Sequence, residues 1–217
     1  SDLPLIKRVE TVEAKVREQQ STLSALSDQN ANVSLLQQKV TKLEKTVAEK
    51  DKQIHDLSLS LDALEQYGRR WSLRFFGIKE VANENTDEIL LKLCNEKLGA
   101  NITLNDLQRS HRVGRPGPNR GIIVRFCSFR VRAKVWKARS KLKGTNIFMS
   151  EDLTKFRNRL AYLARQLKRQ NCIVDTYTSD GRVLVKLRTN PNDPGDPAVK
   201  TIEIKEESDL KIGRAHV

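Results

Sequence analysis

Cysteine is scarce in this chain of 217 residues, and the three present, Cys94, Cys127 and Cys172, lie far apart with no C-x-x-C pair. That excludes a disulfide framework and a zinc site, and the apolar neighbours of each predict three small buried hydrophobes in a reducing compartment. No apolar run reaches the ~18 residues of a membrane span, and no signal-peptide pattern opens the chain, so a soluble intracellular protein with no membrane partner is expected. Catalytic signatures are missing too. There is no G-x-x-x-x-G-K-[ST], H-E-x-x-H, G-x-S-x-G or H-x-E…C-x-x-C, the three His are scattered, and the acidic residues do not group as a two-metal nuclease requires. The expectation is a protein that is no enzyme and holds neither metal nor cofactor.

Charge is plentiful but unevenly placed. Residues 67–188 carry 27 Lys and Arg against 10 Asp and Glu, a net +17, whereas residues 1–66 carry 9 against 11. A solvated basic surface needs charge but not this segregation. A clustered positive potential attracts phosphate and releases its counterions, so the split predicts a scaffold joined to a head that binds nucleic acid.

Over the scaffold, apolar residues step by threes and fours through Val9, Val12, Val16, Gln19, Leu23, Leu26, Asn30 and Val33, and then through Leu36, Val40, Leu43, Val47, Lys50, Ile54, Leu57, Leu61 and Leu64. A period near 3.5 specifies a left-handed coiled coil, with a stammer where two threes meet at Val33. At ~1.5 Å per residue, residues 5–66 would extend on the order of 90 Å. The stripe is narrower than that of an amphipathic helix packed on a globular core. Asn30 and Lys50 on the seam trade stability for register. Arg8 to Glu13 fits the R-h-x-x-h-E pattern of parallel trimers, in which Arg covers the seam and pairs with a neighbouring Glu. Lys39 to Glu44 repeats the spacing with Lys. A parallel homotrimer is expected, with a dimer as the alternative.

The period changes at Trp71. Strands are expected at residues 72–78, 107–113, 121–128 and 146–150, and helices at 87–98 and 130–142, the order β-α-β-β-α-β of ferredoxin-like domains and RNA-recognition motifs (RRMs). The third strand, Arg120 to Phe126, offers aliphatics where an RRM carries stacking aromatics. If Ile122, Val124 and Phe126 are core, Ile123 and Arg125 face outward, as do Arg74, Phe76 and Ile78 on the first strand. Charge is then expected to outweigh stacking, with Phe76 the candidate ring. From Thr154 a capped helix to Gln170 is expected with Phe156, Leu160, Leu163 and Leu167 inward, followed by a hairpin about Asp180-Gly181 of type I′. Residues 189–198 read as a Pro/Asn-rich loop, and 199–210 as a further strand. The chain opens at Ser1 without Met, and Lys211 to Val217 resembles a translated sequencing adapter; both read as marks of a fragment with a non-native tail at 211–217.

Arg69-Arg70-Trp71-Ser72-Leu73-Arg74-Phe75-Phe76-Gly77-Ile78-Lys79-Glu80, Leu107-Gln108-Arg109-Ser110-His111-Arg112-Val113-Gly114 and Gly121-Ile122-Ile123-Val124-Arg125-Phe126 follow one another, succeeded by Ala138-Arg139, Leu142-Lys143-Gly144 and Ser150-Glu151-Asp152-Leu153-Thr154. In that order behind a coiled coil, they resemble the first-open-reading-frame protein of LINE-type non-LTR retrotransposons, a transposase-22-like family. The resemblance implies an α+β fold with a coiled coil over 1–66, an RRM-like domain over 67–150 and a C-terminal nucleic-acid-binding domain, here truncated, over 151–210. It further implies a homotrimeric RNA chaperone that coats the element's RNA in cytoplasmic ribonucleoprotein particles and also in the nucleus, with the element's reverse transcriptase as partner in trans.

Candidate contacts to single-stranded RNA or DNA in the RRM-like part are Arg69, Arg70, Arg74, Phe76, Arg109, His111, Arg112, Arg115, Arg120, Arg125, Arg139 and Lys143. Those in the C-terminal part are Arg157, Arg159, Arg165, Lys168, Arg169 and Arg182. The resemblance implies that the two parts close on one strand, and mobility between them would let strands exchange. A host coiled-coil adaptor with a basic head for an acidic protein is the rival reading, separable by nuclease treatment of the native material. A regulator of duplex DNA lacks the helix-turn-helix, zinc-finger or basic-zipper arrangement it needs.

Overall fold

A computed structural model describes residues 3–115, 117, 120–189 and 198–214, with side chains from Glu10 to Lys211 within those ranges. Arg8 and Val9 of the seam, Pro116, Pro118 and Asn119 of the hairpin loop, residues 190–197 and the last residues of the tail lie outside the described side chains. The fold is α+β, with a long N-terminal helix and two antiparallel sheets, and the chain divides into two compact units, Ser1–Leu59 and Ser60–Val217.

The first unit is part of helix α1 (Leu3–Arg69). No Gly or Pro interrupts it between Leu5 and Tyr67, and Pro4 stands in the first turn, where a missing N–H costs nothing. Hydroxyls of Thr41, Thr46 and Ser58 donate back to carbonyls four residues earlier, at 2.8–3.1 Å. Every side chain from Glu10 to Ser58 is exposed, and the apolar stripe is between 49% (Val33) and 69% (Leu57) accessible.

The second unit contains two hydrophobic cores. The first is built from β1 (Ser72–Phe76), α2 (Thr86–Lys92, continued by a π turn over Leu93–Lys97), β2 (Leu107–Val113), β3 (Gly121–Phe126), α3 (Phe129–Lys137, continued by a 3-10 turn over Ala138–Leu142) and β4 (Phe148–Glu151). The strands lie in the order β2-β3-β1-β4, every neighbour antiparallel. Alternation sends Leu73, Phe75, Ile122, Val124 and Phe126 into the core against Leu90, Leu98 and Val135. Each such burial is worth about 1.5–3 kcal/mol. Asn85 Oδ1 caps α2 by accepting from the amides of Asp87 and Glu88, and Ser128 Oγ caps α3 through Arg130 N–H. At Gly77 (φ +82°) a Cβ would stand 1.9 Å from the Asn146 carbonyl oxygen, so only glycine can end β1 there.

The second core joins α4 (Lys155–Arg169) to the sheet β5 (Asp175–Ser179), β6 (Arg182–Arg188) and β7 (Val199–Ile204). Asp180 and Gly181 both have positive φ, +52° and +77°, as a type I′ turn requires. Leu160, Ala161, Ala164 and Leu167 are the buried face of α4. The strand expected at 199–210 stops at Ile204, and 3-10 turns follow over Glu207–Arg214.

Three expectations need correction. The helix expected at 87–98 changes to π geometry at Leu93, where the Leu98 amide bonds to the Leu93 carbonyl at 3.3 Å; this turns Leu93, Cys94 and Leu98 all toward the core. Ile78, expected on the open face, is instead half-buried against the first core, because β1 ends at Phe76 and Gly77 turns the chain. The cysteines are not alike: Cys94 is buried, Cys172 half-buried and Cys127 exposed, because Cys127 follows the core residue Phe126 and alternation turns it outward. Burial pushes the Cys94 thiol up to about 12. Timed alkylation of the native chain at pH 8, read by mass spectrometry, should label Cys127 first and Cys94 only on unfolding. Early labelling of Cys94 would contradict this core.

Candidate nucleic-acid interface

Cross-strand register sets the rows of side chains on the sheet face away from α2 and α3. Ser72, Arg125 and Arg109 form one row, and Ser150, Arg74, Ile123 and His111 the next. Phe148 and Phe76 begin the third. Arg109 and Arg125 are direct partners across β2 and β3. Arg109 and His111 are exposed and their side chains have neither hydrogen bond nor ion pair to another described residue, while Arg125 donates to the Gly68 carbonyl at 3.1 Å. A cleft of about 350 Å³ opens here, lined among others by Arg69, Arg109, His111, Ile123, Arg125 and Asp152.

Asp152 is the acidic counterweight. Buried, it accepts from Arg69 Nη1 at 3.1 Å and from Arg74 Nε at 2.7 Å. Arg69 also donates to Glu65 at 2.7 Å; partial burial works against its charge, but those hydrogen bonds and the charges of Asp152 and Glu65 hold its pKa above the ordinary value. Arg70 lies 3.7 Å from the centre of the Tyr67 ring, with its Nε buried and unpartnered. Arg69, Arg74, Arg109, His111 and Arg125 are thus brought to one face, two of them neutralised by a carboxylate.

Arg112 has a different surrounding. Its side chain is 5% exposed; Nε and Nη2 grip Glu84 at 2.6 and 2.9 Å, Nη1 donates to the carbonyls of Ile78 and Arg120, and Nη2 also to that of Lys79. Arg120 pairs with Glu80. These arginines hold the Glu80 and Glu84 carboxyls below the usual range, chiefly by hydrogen bonding. Together they pin the base of the β2–β3 hairpin to the segment after β1. Arg115 is exposed beyond it. Arg139 and Lys143 follow α3, on the covered side of the sheet, and Arg139 stacks over Trp136 at 4.5 Å.

In the C-terminal part, Arg157 bonds to Asp62 at 2.7 Å and to the Gly181 carbonyl at 3.0 Å. Arg159 pairs with Glu207, and Lys168 with Asp175 at 2.6 Å, which lowers the Asp175 pKa. Arg165, Arg169 and Arg182 are exposed, with no partner among the described residues. Phe148, absent from the residues picked by sequence, is exposed on the same face as Arg109; its alternation with the core-packed Met149 was the available signal.

Behind the face runs a buried junction, Glu151 to Thr154. Gln66 of α1 donates to the Asp152 carbonyl at 3.0 Å and accepts the Thr154 amide at 2.9 Å. Thr154 caps α4 and bonds Asp62. Glu151 accepts Arg132 Nη2 at 2.5 Å and the Gly181 amide at 3.2 Å. No helix of the described residues is long and apolar enough to cross a membrane, and no group of three or more His, Cys, Asp or Glu among them is arranged to hold a metal ion. No protein-family model matches the chain, nor does any curated protein.

Arg132 and Glu151 are 3% and 1% exposed at the side chain. Glu151→Ala leaves the buried guanidinium with only the exposed Asp180 carboxylate at 3.8 Å, so urea unfolding followed by tryptophan fluorescence should show a loss of about 3 kcal/mol. A change within about 0.5 kcal/mol would show that the pair does not secure the junction.

Proposed function

We propose that this chain is the RNA-binding chaperone encoded by the first open reading frame of a LINE-type non-LTR retrotransposon. The observation that carries the binding role is the pair Arg109 and Arg125. Like charges directly opposite across strands destabilise a sheet, and neither arginine has a carboxylate partner in the described structure. An anion between them relieves that repulsion. The phosphate of a single strand is the anion that the +17 segment attracts.

Other features support the same reading. The order β-α-β-β-α-β with strands β2-β3-β1-β4 supports the reading of this part as a ferredoxin-like, RRM-like domain. The quoted motifs map onto β1, β2, β3 and the junction before α4, and their order behind the long helix is the basis for the family assignment. The accessible stripe on α1 needs a partner, and further copies of the chain supply one with the same period; Arg8 to Glu13 favours a parallel homotrimer. In the structure Glu13 approaches Arg17 at 3.5 Å and is exposed, available to exchange that contact for a neighbouring chain's arginine. The role is binding and strand rearrangement, not catalysis, in ribonucleoprotein particles of the cytoplasm, assisting the element's reverse transcriptase in trans. Because the junction ties the two parts of the head together, strand exchange is assigned to numerous weak phosphate contacts that rearrange without full release.

Affinity for single-stranded RNA should fall steeply with salt and vary little with base sequence. Arg109→Ala with Arg125→Ala should weaken binding to every sequence and flatten the log–log salt slope by about 0.7 per lost phosphate contact. Lys39→Ala with Lys45→Ala should change neither, since both lie among compensating acids. Arg112→Ala should lower stability, leaving Glu84 half-buried without its partner. Equal losses from the head and helix pairs, with folding verified, would reject the assignment of the site.

Sedimentation equilibrium of the full chain should give a mass about three times 24.8 kDa. Leu26→Asp with Leu43→Asp should reduce it to the monomer by placing charges on the seam. A dimer mass across a wide concentration range would contradict the parallel trimer.

A further inference from the structure

The phosphate contacts proposed above leave unused the far end of the same sheet face. Phe148 is 60% exposed at the start of β4, and its ring stacks on that of Phe76, with centroids 4.9 Å apart and planes within 14°. The two are Cα partners across β1 and β4. Gly121 of β3 explains why Phe76 lies as it does. A Cβ at Gly121 would stand 2.8 Å from Phe76 Cε1 and 2.9 Å from Cδ1, so the ring occupies the space that any other residue would fill. Three adjacent strands therefore cooperate to present one flat aromatic surface, backed by a second ring and open on its outer side.

We propose that Phe148, supported by Phe76, is a stacking platform for one base of a single-stranded nucleic acid whose phosphates reach Arg109 and Arg125; this rests on the binding role proposed above. An isolated exposed apolar residue on a protein surface needs no explanation. This ring differs in its setting, because the row His111, Ile123, Arg74 and Ser150 separates it from the arginine pair on one face. Along the strands, that places ring and arginines about four residues apart, roughly 13 Å. A chain that is both anionic and ringed matches the two ends at once: its uncharged π face lies on phenylalanine and its phosphate between guanidinium groups. A second copy of the chain or an acidic protein would match only one of them. The platform lies on β1 and β4. In an ordinary RRM the stacking aromatics stand on the two central strands; here Phe76 of central β1 backs the outer ring, which itself stands on the edge strand β4. The site is therefore indifferent to sequence, since every base has a π face.

The test uses the full chain with Phe148→Ala, Phe148→Leu and Phe148→Tyr. The two probes are a single-stranded oligoribonucleotide and an abasic oligomer of the same length and charge. Phe148→Ala should weaken oligoribonucleotide binding roughly 5- to 100-fold. Phe148→Leu should lose nearly as much, and Phe148→Tyr should restore affinity. The salt slope and abasic binding should not move in any variant, because no phosphate contact is removed. Equal affinity of Phe148→Ala and the parent chain would overturn the platform, as would full rescue by Leu or an equal loss on the abasic oligomer. A change in sedimentation mass on Phe148→Ala would also overturn it, by making the ring a contact between copies. If the parent chain binds neither probe, the binding role itself fails; if it binds both and only the Phe148 results are null, the platform alone fails.

Discussion

Everything the sheet face can do depends on four buried residues, Glu151 to Thr154, that sit between the two cores of the head. Asp152 accepts two arginines, Glu151 accepts a third and the turn amide of Gly181, and Thr154 caps α4 while binding Asp62. Such buried ion pairs add little net stability over a hydrophobic packing of the same volume, yet breaking one is costly. Their effect here is on position. β1, α3, α4, the β5–β6 turn and the last turns of α1 meet at one segment, so the basic side chains on the open face stand in fixed relation to those of the C-terminal part.

That junction also decides which cations remain for a ligand. The head is strongly basic, but much of its charge is already committed: Arg132 to Glu151, Arg112 to Glu84, Arg120 to Glu80, Arg157 to Asp62, and Arg69 and Arg74 to Asp152. Charge already paired with a carboxylate contributes little to the field a phosphate meets. Among the described residues, Arg109, His111 and Arg125 on the open face, Arg115 beyond the hairpin, and Arg165, Arg169 and Arg182 in the C-terminal part are among the cations with no carboxylate partner. The count of lysines and arginines motivates the proposed class of partner, and the pairing pattern narrows the face proposed for it.

Local period carried most of the architecture. The 3.5-residue stripe marks α1, and the alternation of Ile122, Val124 and Phe126 against Ile123 and Arg125 marks the two faces of β3. Asp180-Gly181 announced its turn. What the period cannot carry is the identity of a partner distant in sequence. Arg112 looked like a phosphate ligand until Glu84, 28 residues away, consumed its guanidinium, and nothing around Arg132 announces Glu151, 19 residues away, which holds it buried. Phe148 failed to stand out because in a four-residue strand the alternation with Met149 is a weak signal, and the ring it stacks on is 72 residues away. The π turn at Leu93 escaped for a related reason: one bond of i→i+5 type shifts the inward face without changing composition.

In the proposed mode of binding, a single strand runs over the open face from the Phe76–Phe148 corner to Arg109 and Arg125. Ultraviolet cross-linking of the full chain to a uniform single-stranded RNA, mapped by mass spectrometry, reads the path of the strand directly. Adducts are expected in the peptides spanning 107–113, 121–126 and 146–150. Adducts confined to α1, or to the surface of α3 on the opposite side of the sheet, would contradict that path.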